Sequence, residues 1–290
     1  MSERDCGLPP LPDDASCRDG QDIFENPEGI IAQIRKMKDW GQLLALKVEF
    51  EAEGAHLEEA ESLSSWAERA GLSLTVKIGG CEAVTDLDFC RMLGAGSVVA
   101  PMIESPFALS KFQGAIRRVY PQDRDKVEWV MNLETITAYQ QLDQILEAGQ
   151  GVVDRLNIGR VDLSASLGMT RQQIDDGDLL QICLDMAKRG HAAGYAVSFG
   201  GGIGLDSIPF IQAMAPYVDR FETRKAVFAV TEEETLLKDC IIDATGFELL
   251  YLRGKGSHYG GLTSVEQERI ELLQKRLGQV RSGCCYCSVG

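Results

Sequence analysis

The sequence predicts a (β/α)8 TIM barrel with an N-terminal arm and a C-terminal helical extension. Short apolar, strand-like runs alternate with amphipathic helical patterns along most of the chain, as in parallel βα units. The 290 residues, 44% of them apolar, suffice for one core of barrel size. Two of the strand-like runs close on carboxylates, Glu134 in VMNLETITAY and Asp162 in LNIGRVDLSASLG. Carboxylates at successive strand ends fall on one rim of a barrel, where such folds place their chemistry.

Each element has its own signal. Residues 1–28 hold four of the nine prolines and read as an arm. Helical spacing over 29–39 leads into LLALKVEFE (43–51), which alternates apolar and charged residues as a strand does. HLEEAESLSSWAERAG is an amphipathic helix closed by Gly71. Strands follow at 73–80, 97–105, 127–134, 153–161, 196–202 and 219–228, with helices at 85–94, 108–119, 138–149, 179–194 and 206–215. That gives seven strands, and an eighth is expected in the first 40 residues or as an irregular contribution. A doubly wound open sheet is the alternative, although KVEFEAEG lacks the Gly-rich turn of that fold. The barrel is expected over 29–230, a helical extension over 231–278, and a disordered Cys-rich tail over 279–290. KGSHYGGLT, between the two helical segments of the extension, reads as a connecting loop for packing or assembly, or as a lid.

A formal charge of −15 argues against nucleic acid and anionic membranes as partners. No apolar run approaches the ~20 residues of a membrane span, and the polar N-terminal stretch lacks the apolar segment of a signal peptide. A cytoplasmic enzyme with a small-molecule substrate is the expectation, assembled as a homo-oligomer through its C-terminal helices. The nine cysteines are odd in number and scattered, so they read as reduced thiols.

Glu134 and Asp162 stand 28 residues apart, one βα repeat, which makes them neighbours in space. Two hard oxygen ligands suit Mg2+ or Mn2+ with positions left open for substrate; an N-cap role is the plainer reading of either. Lys77 in KIGGCEA shares a strand face with Thr75, inside the barrel. A buried lysine implies a cation for an oxyanion, a Schiff-base nucleophile, or pairing with Glu49 or Glu51. Gly79 and Gly80 behind it are candidates for close substrate approach. Glu49, Glu51 and Glu53 share one face, and the first two are candidates for the general base. SFGGGI offers Gly200 and Gly201 to an anion, and Arg224 in FETRK and Arg160 offer guanidinium contacts. No HExxH, GxSxG or GxxxxGK[ST] motif occurs in the sequence, which counts against zinc proteases, serine hydrolases and P-loop NTPases.

Together, NLETITAY, GRVDLSASLG and VVAPMIES resemble the HpcH/HpaI aldolase and citrate lyase family over roughly residues 44–228. The resemblance implies a TIM barrel in which Glu134 and Asp162 hold a divalent cation that grips a pyruvate-like moiety. The chain departs from the family at two places. Lys77 stands where the family has an enolate-stabilising arginine, and Glu49-Phe50-Glu51-Ala52 stands where it has Asp-x-Glu-His, so the acid/base histidine is missing. The expected activity is a metal-dependent carbon–carbon lyase acting on a 2-keto acid through an enolate. An acyl-CoA or phosphorylated sugar-acid lyase and a non-catalytic acid-binding barrel are the alternatives.

Overall fold

A computed structural model describes residues 22–40 and 42–286. Eight strands close a barrel in chain order: β1 (Leu43–Glu49), β2 (Ser73–Lys77), β3 (Ser97–Ala100), β4 (Glu128–Leu133), β5 (Arg155–Gly159), β6 (Ala196–Gly200), β7 (Arg220–Glu222) and β8 (Ala226–Ala229). The first seven run parallel, while β8 is antiparallel to both neighbours, β7 and β1. The eighth strand thus comes from the end of the run that reads as a single strand over 219–228, and continues to Ala229. A polar Thr223-Arg224-Lys225 triplet breaks that run into a hairpin, and the Thr223 N–H donates to the Ala226 carbonyl at 2.9 Å. Glu53 anchors the turn, pairing with Arg224 at 2.9 Å and Lys225 at 2.5 Å.

Helices alternate with the parallel strands. They are α1 (Glu28–Trp40), α2 (Leu57–Ala70), α3 (Val84–Met92), α4 (Pro106–Val119), α5 (Ile136–Gln140), α6 (Leu142–Gly149), α7 (Arg160–Ser166), α8 (Gly177–Ala192) and α9 (Ile208–Met214). Local chemistry sets their ends. The Ser105 hydroxyl accepts from the Ala108 N–H at 3.2 Å ahead of Pro106, and Gly71 closes α2 at φ 65°, a left-handed conformation that a side chain would strain. The expected arm falls mostly on residues 1–21, outside the described residues.

After β8 come α10 (Glu234–Tyr259) and α11 (Ser264–Tyr286). The stretch KGSHY, expected in a loop, completes α10, which stops at Gly260 with φ 72°. Helix α11 likewise runs on to Tyr286, through 279–286, where a disordered tail is expected from the sequence. Residues 287–290 lie outside the described residues. Among the described residues no helix is long and apolar enough to cross a membrane.

Alternation along the strands separates two interiors. Outward residues such as Leu46, Val48, Val76, Trp129, Ile158 and Phe199 join the hydrophobic layer beneath the helices. Inward positions are largely polar: Lys47, Thr75, Lys77, Asn132, Arg155, Asn157, Ser198 and Glu222 are all buried. At the end where the parallel strands begin, Arg155 pairs with Glu128 at 3.0 Å and with Asp219, and Arg220 pairs with Glu128 at 2.7 Å. Burial raises the Glu128 pKa, but the two guanidiniums outweigh it and hold the carboxyl below its ordinary 4.5. A depressed carboxylate stabilises the fold above its unfolded pKa, and the contribution is lost as pH falls. Glu128→Gln should therefore cost about 2 kcal/mol at pH 7 in urea unfolding. The gap to wild type should shrink steadily below pH 4.5; a gap constant from pH 7 to 3.5 would show that the cluster carries no such linkage.

Candidate active site

The rim at which the parallel strands end opens on a cavity of about 520 Å³. Glu134, just past β4, points into it and is only 2% exposed. The helix-capping role falls to Thr135, whose hydroxyl accepts from the Ala138 N–H at 3.1 Å. One Glu134 oxygen accepts from the Met102 N–H at 3.0 Å, and the other lies 3.3 Å from the Lys77 Nζ. Met102 sits at φ 51° to present that N–H, a conformation uncommon outside glycine and often associated with functional sites. Asp162 lines the same cavity from the first turn of α7, not from the strand end itself.

Burial is the main cause that lifts the Glu134 carboxyl, to about 7. Lys77 and the Met102 N–H pull it down, while the charges of Asp162 and Glu51 lift it further. Lys77 is 7% exposed. Its ammonium meets Glu51 at 2.6 Å, Glu134 at 3.3 Å and Glu49 at 3.9 Å. Burial favours the neutral amine, yet the three carboxylates outweigh it and hold Lys77 above the ordinary lysine range. Lys77 is therefore a cation at neutral pH, which does not suit a Schiff-base nucleophile. The pairing with Glu49 and Glu51 is present, together with a third carboxylate that strand spacing alone does not connect to it.

Of the other candidate residues, Glu49, Gly200, Gly201 and Arg224 line the cavity. Arg224 lies 2.9 Å from Glu53 and 3.9 Å from Glu248 of α10. Gly79 and Gly80 are not on the wall, and the Gly79 N–H is taken by Asp86 at 2.7 Å. Arg160, expected at the substrate, is not on the wall either. It is 0% exposed, donates to Asp175 at 2.8 Å and to the Gly201 carbonyl at 2.8 Å, and lies 4.4 Å from the Phe210 ring centroid. It braces the loops after β5 and β6, because a guanidinium so deeply buried needs fixed acceptors.

Two groups of residues at or just beneath the wall were not among the sequence candidates. Lys47 pairs with Glu222 at 2.5 Å, and a hydrogen-bonded chain runs from Ser198 to Asn157 at 2.7 Å and on to Asn132 at 2.8 Å. Their signal was polar residues at inward positions of otherwise apolar strands. The second group comes from α11, where Val265, Glu268, Arg269, Leu272 and Arg276 share one helix face and line the cavity. Their 3–4 residue spacing was readable, but not what the face covers.

No family model and no curated protein matches the sequence. Solved structures do. The fold is similar to the HpcH/HpaI aldolase from Desulfitobacterium hafniense DCB-2, with a TM-score of 0.51 and 19% identity over 61% of this chain and 76% of that one. It is similar also to citrate synthase SbnG, with a TM-score of 0.52 and 18% identity over 67% and 81%. The structural likeness to the HpcH/HpaI group thus agrees with the motif resemblance, and at these identities it establishes a shared barrel fold.

Gly159 is what lets Glu134 enter the cavity. A Cβ there would stand 2.6 Å from the Glu134 Oε2 and 2.7 Å from its Cβ, whereas a Cβ at Gly80 would meet nothing within 4 Å. Gly159→Ala should destabilise the protein by about 2 kcal/mol, in the range of overpacked sites, and Gly80→Ala should be near neutral. Equal urea midpoints for the two variants would mean that the Glu134 side chain moves aside without cost.

Proposed function

We propose that the protein is a carbon–carbon lyase that acts on a 2-keto acid through an enolate, with Mg2+ or Mn2+ held by Glu134 and Asp162. The observation that carries this reading is the convergence of the two carboxylates on one cavity wall, with the Glu134 carboxyl lifted to about 7 by burial and by its acidic neighbours. The donor set fits a hard divalent cation. Both ligands are carboxylates, and among the described residues no third His, Cys, Asp or Glu completes a cage, which suits an ion whose remaining positions go to substrate and water. When bound, such an ion polarises a carbonyl as a Lewis acid.

The remaining work falls to the chain's own groups. Lys77, protonated and fixed by three carboxylates, is a preorganised cation for charge that develops on a substrate oxygen, without reorganisation at the moment of reaction. It fills the electrostatic part of the arginine that the resemblance leads one to expect, as a point charge instead of a fork. Glu49 lies on the wall beside it, with one oxygen accepting from the Ala52 N–H at 3.2 Å. In this reading Glu49, which unlike Glu51 lines the cavity, is the base that takes a proton from the carbon next to the keto group. The chain Ser198–Asn157–Asn132 supplies neutral donors and acceptors at the floor.

Pyruvate in deuterated buffer tests this reading by methyl-proton exchange in NMR. Exchange should need added magnesium or manganese, stop with a chelator and disappear in Glu134→Gln. Lys77→Met should slow it by about 10²–10³-fold, the usual loss for one oxyanion donor. Exchange that persists in Glu134→Gln, or none under either metal, would overturn the proposal.

A further inference from the structure

The cavity is larger than a three-carbon keto acid requires, and its charges are unevenly compensated. On the side of β2 and β4, Lys77 is matched by three carboxylates. The wall across the eight-stranded barrel from β2 carries three arginines: Arg171 on the turn Arg171–Gln173, Arg276 of α11 on the loop after β6, and Arg269 of α11 beside Glu248. Arg269 is satisfied by two hydrogen bonds to Glu248 at 2.7 and 2.6 Å. Among the described residues, neither Arg276 nor Arg171 has a carboxylate within 4 Å. Arg276 donates to the Ile203 carbonyl at 3.0 Å. Its guanidinium lies flat on Gly204, where a Cβ would be 3.4, 3.5 and 3.6 Å from its carbon and two terminal nitrogens. Burial, and then the like charge of Arg269, hold Arg276 below the ordinary arginine range, with Glu248 and Asp206 opposing and Arg171 adding to the shift. Glu268, on the same helix face, is exposed.

In a chain of net charge −15, two guanidiniums without their own acids on a cavity wall, beside a third already held by Glu248, call for an anion. We infer that Arg276, on the glycine loop after β6, and Arg171, with the Glu248-bound Arg269 beside them, form a second subsite that binds the anionic end of a substrate, a phosphate or a carboxylate. This rests on the lyase reading only for which molecule carries the anion. A keto acid held near Glu134 would leave its bond-forming partner reaching across the barrel, with its charged terminus on the arginines.

Titration calorimetry at low ionic strength, without metal, tests the subsite apart from the chemistry. The probes are glycerol 3-phosphate, succinate, and glycerol as the neutral control. One or both anions should bind and glycerol should not, and the tighter of the two identifies the tail. Losing one charged hydrogen-bond donor weakens binding by roughly 10–100-fold, so Arg276→Gln and Arg171→Gln should each lower the affinity on that scale, with Arg276→Lys intermediate. Arg171 is exposed, so its variant serves even if Arg276→Gln fails to fold. No anion binding, or equal affinity in wild type and Arg171→Gln, would overturn the subsite. Arginine-dependent binding in a protein that gives no pyruvate exchange would keep the subsite and remove the enolate; exchange without such binding would do the reverse.

Discussion

A barrel lined with charged side chains can close only if each charge meets its opposite on another strand, and here the grip of Lys77 on Glu134, Glu51 and Glu49 is the pairing on which the site depends. Small α/β barrels usually fill their interior with branched apolar residues. This one instead stacks polar layers: Glu128 with Arg155 and Arg220 at the closed end, Lys47 with Glu222 and the Asn–Ser chain midway, and the Lys77 network at the mouth. Replacing such pairs by apolar residues is often neutral or stabilising, so their presence points to function, with stability secured by the hydrophobic layer outside.

The antiparallel hairpin of β7 and β8 has consequences beyond closure. Its turn lies at the rim where the other strands end, and the Glu53 pairings fix Arg224 and Lys225 there. Reversing the last strand also returns the chain to the closed end, since the Val230 N–H donates to the Asp219 carbonyl. The 26 residues of α10 then carry it back up to the mouth, where Glu248 meets Arg269 and α11 joins the cavity wall. A parallel eighth strand would end at the mouth, and its helix would lead away from it. The C-terminal extension is thus part of the site wall as well as packing.

The barrel, its strand and helix order, and the pair Glu134 and Asp162 follow from local information: period-2 and period-3.6 patterning, Gly71 as a helix stop, and carboxylates one repeat apart. The inward direction of Lys77 follows too, because alternation fixes which face a residue occupies. Tertiary structure alone decided which groups meet across the barrel. Glu134 as a third partner of Lys77, Arg160 as a buried brace and the arginines of α11 at the cavity wall all depend on contacts between residues distant in sequence. Periodicity assigns a side chain to a face, but the neighbour on the other side of that face is set by barrel closure, which no local pattern encodes.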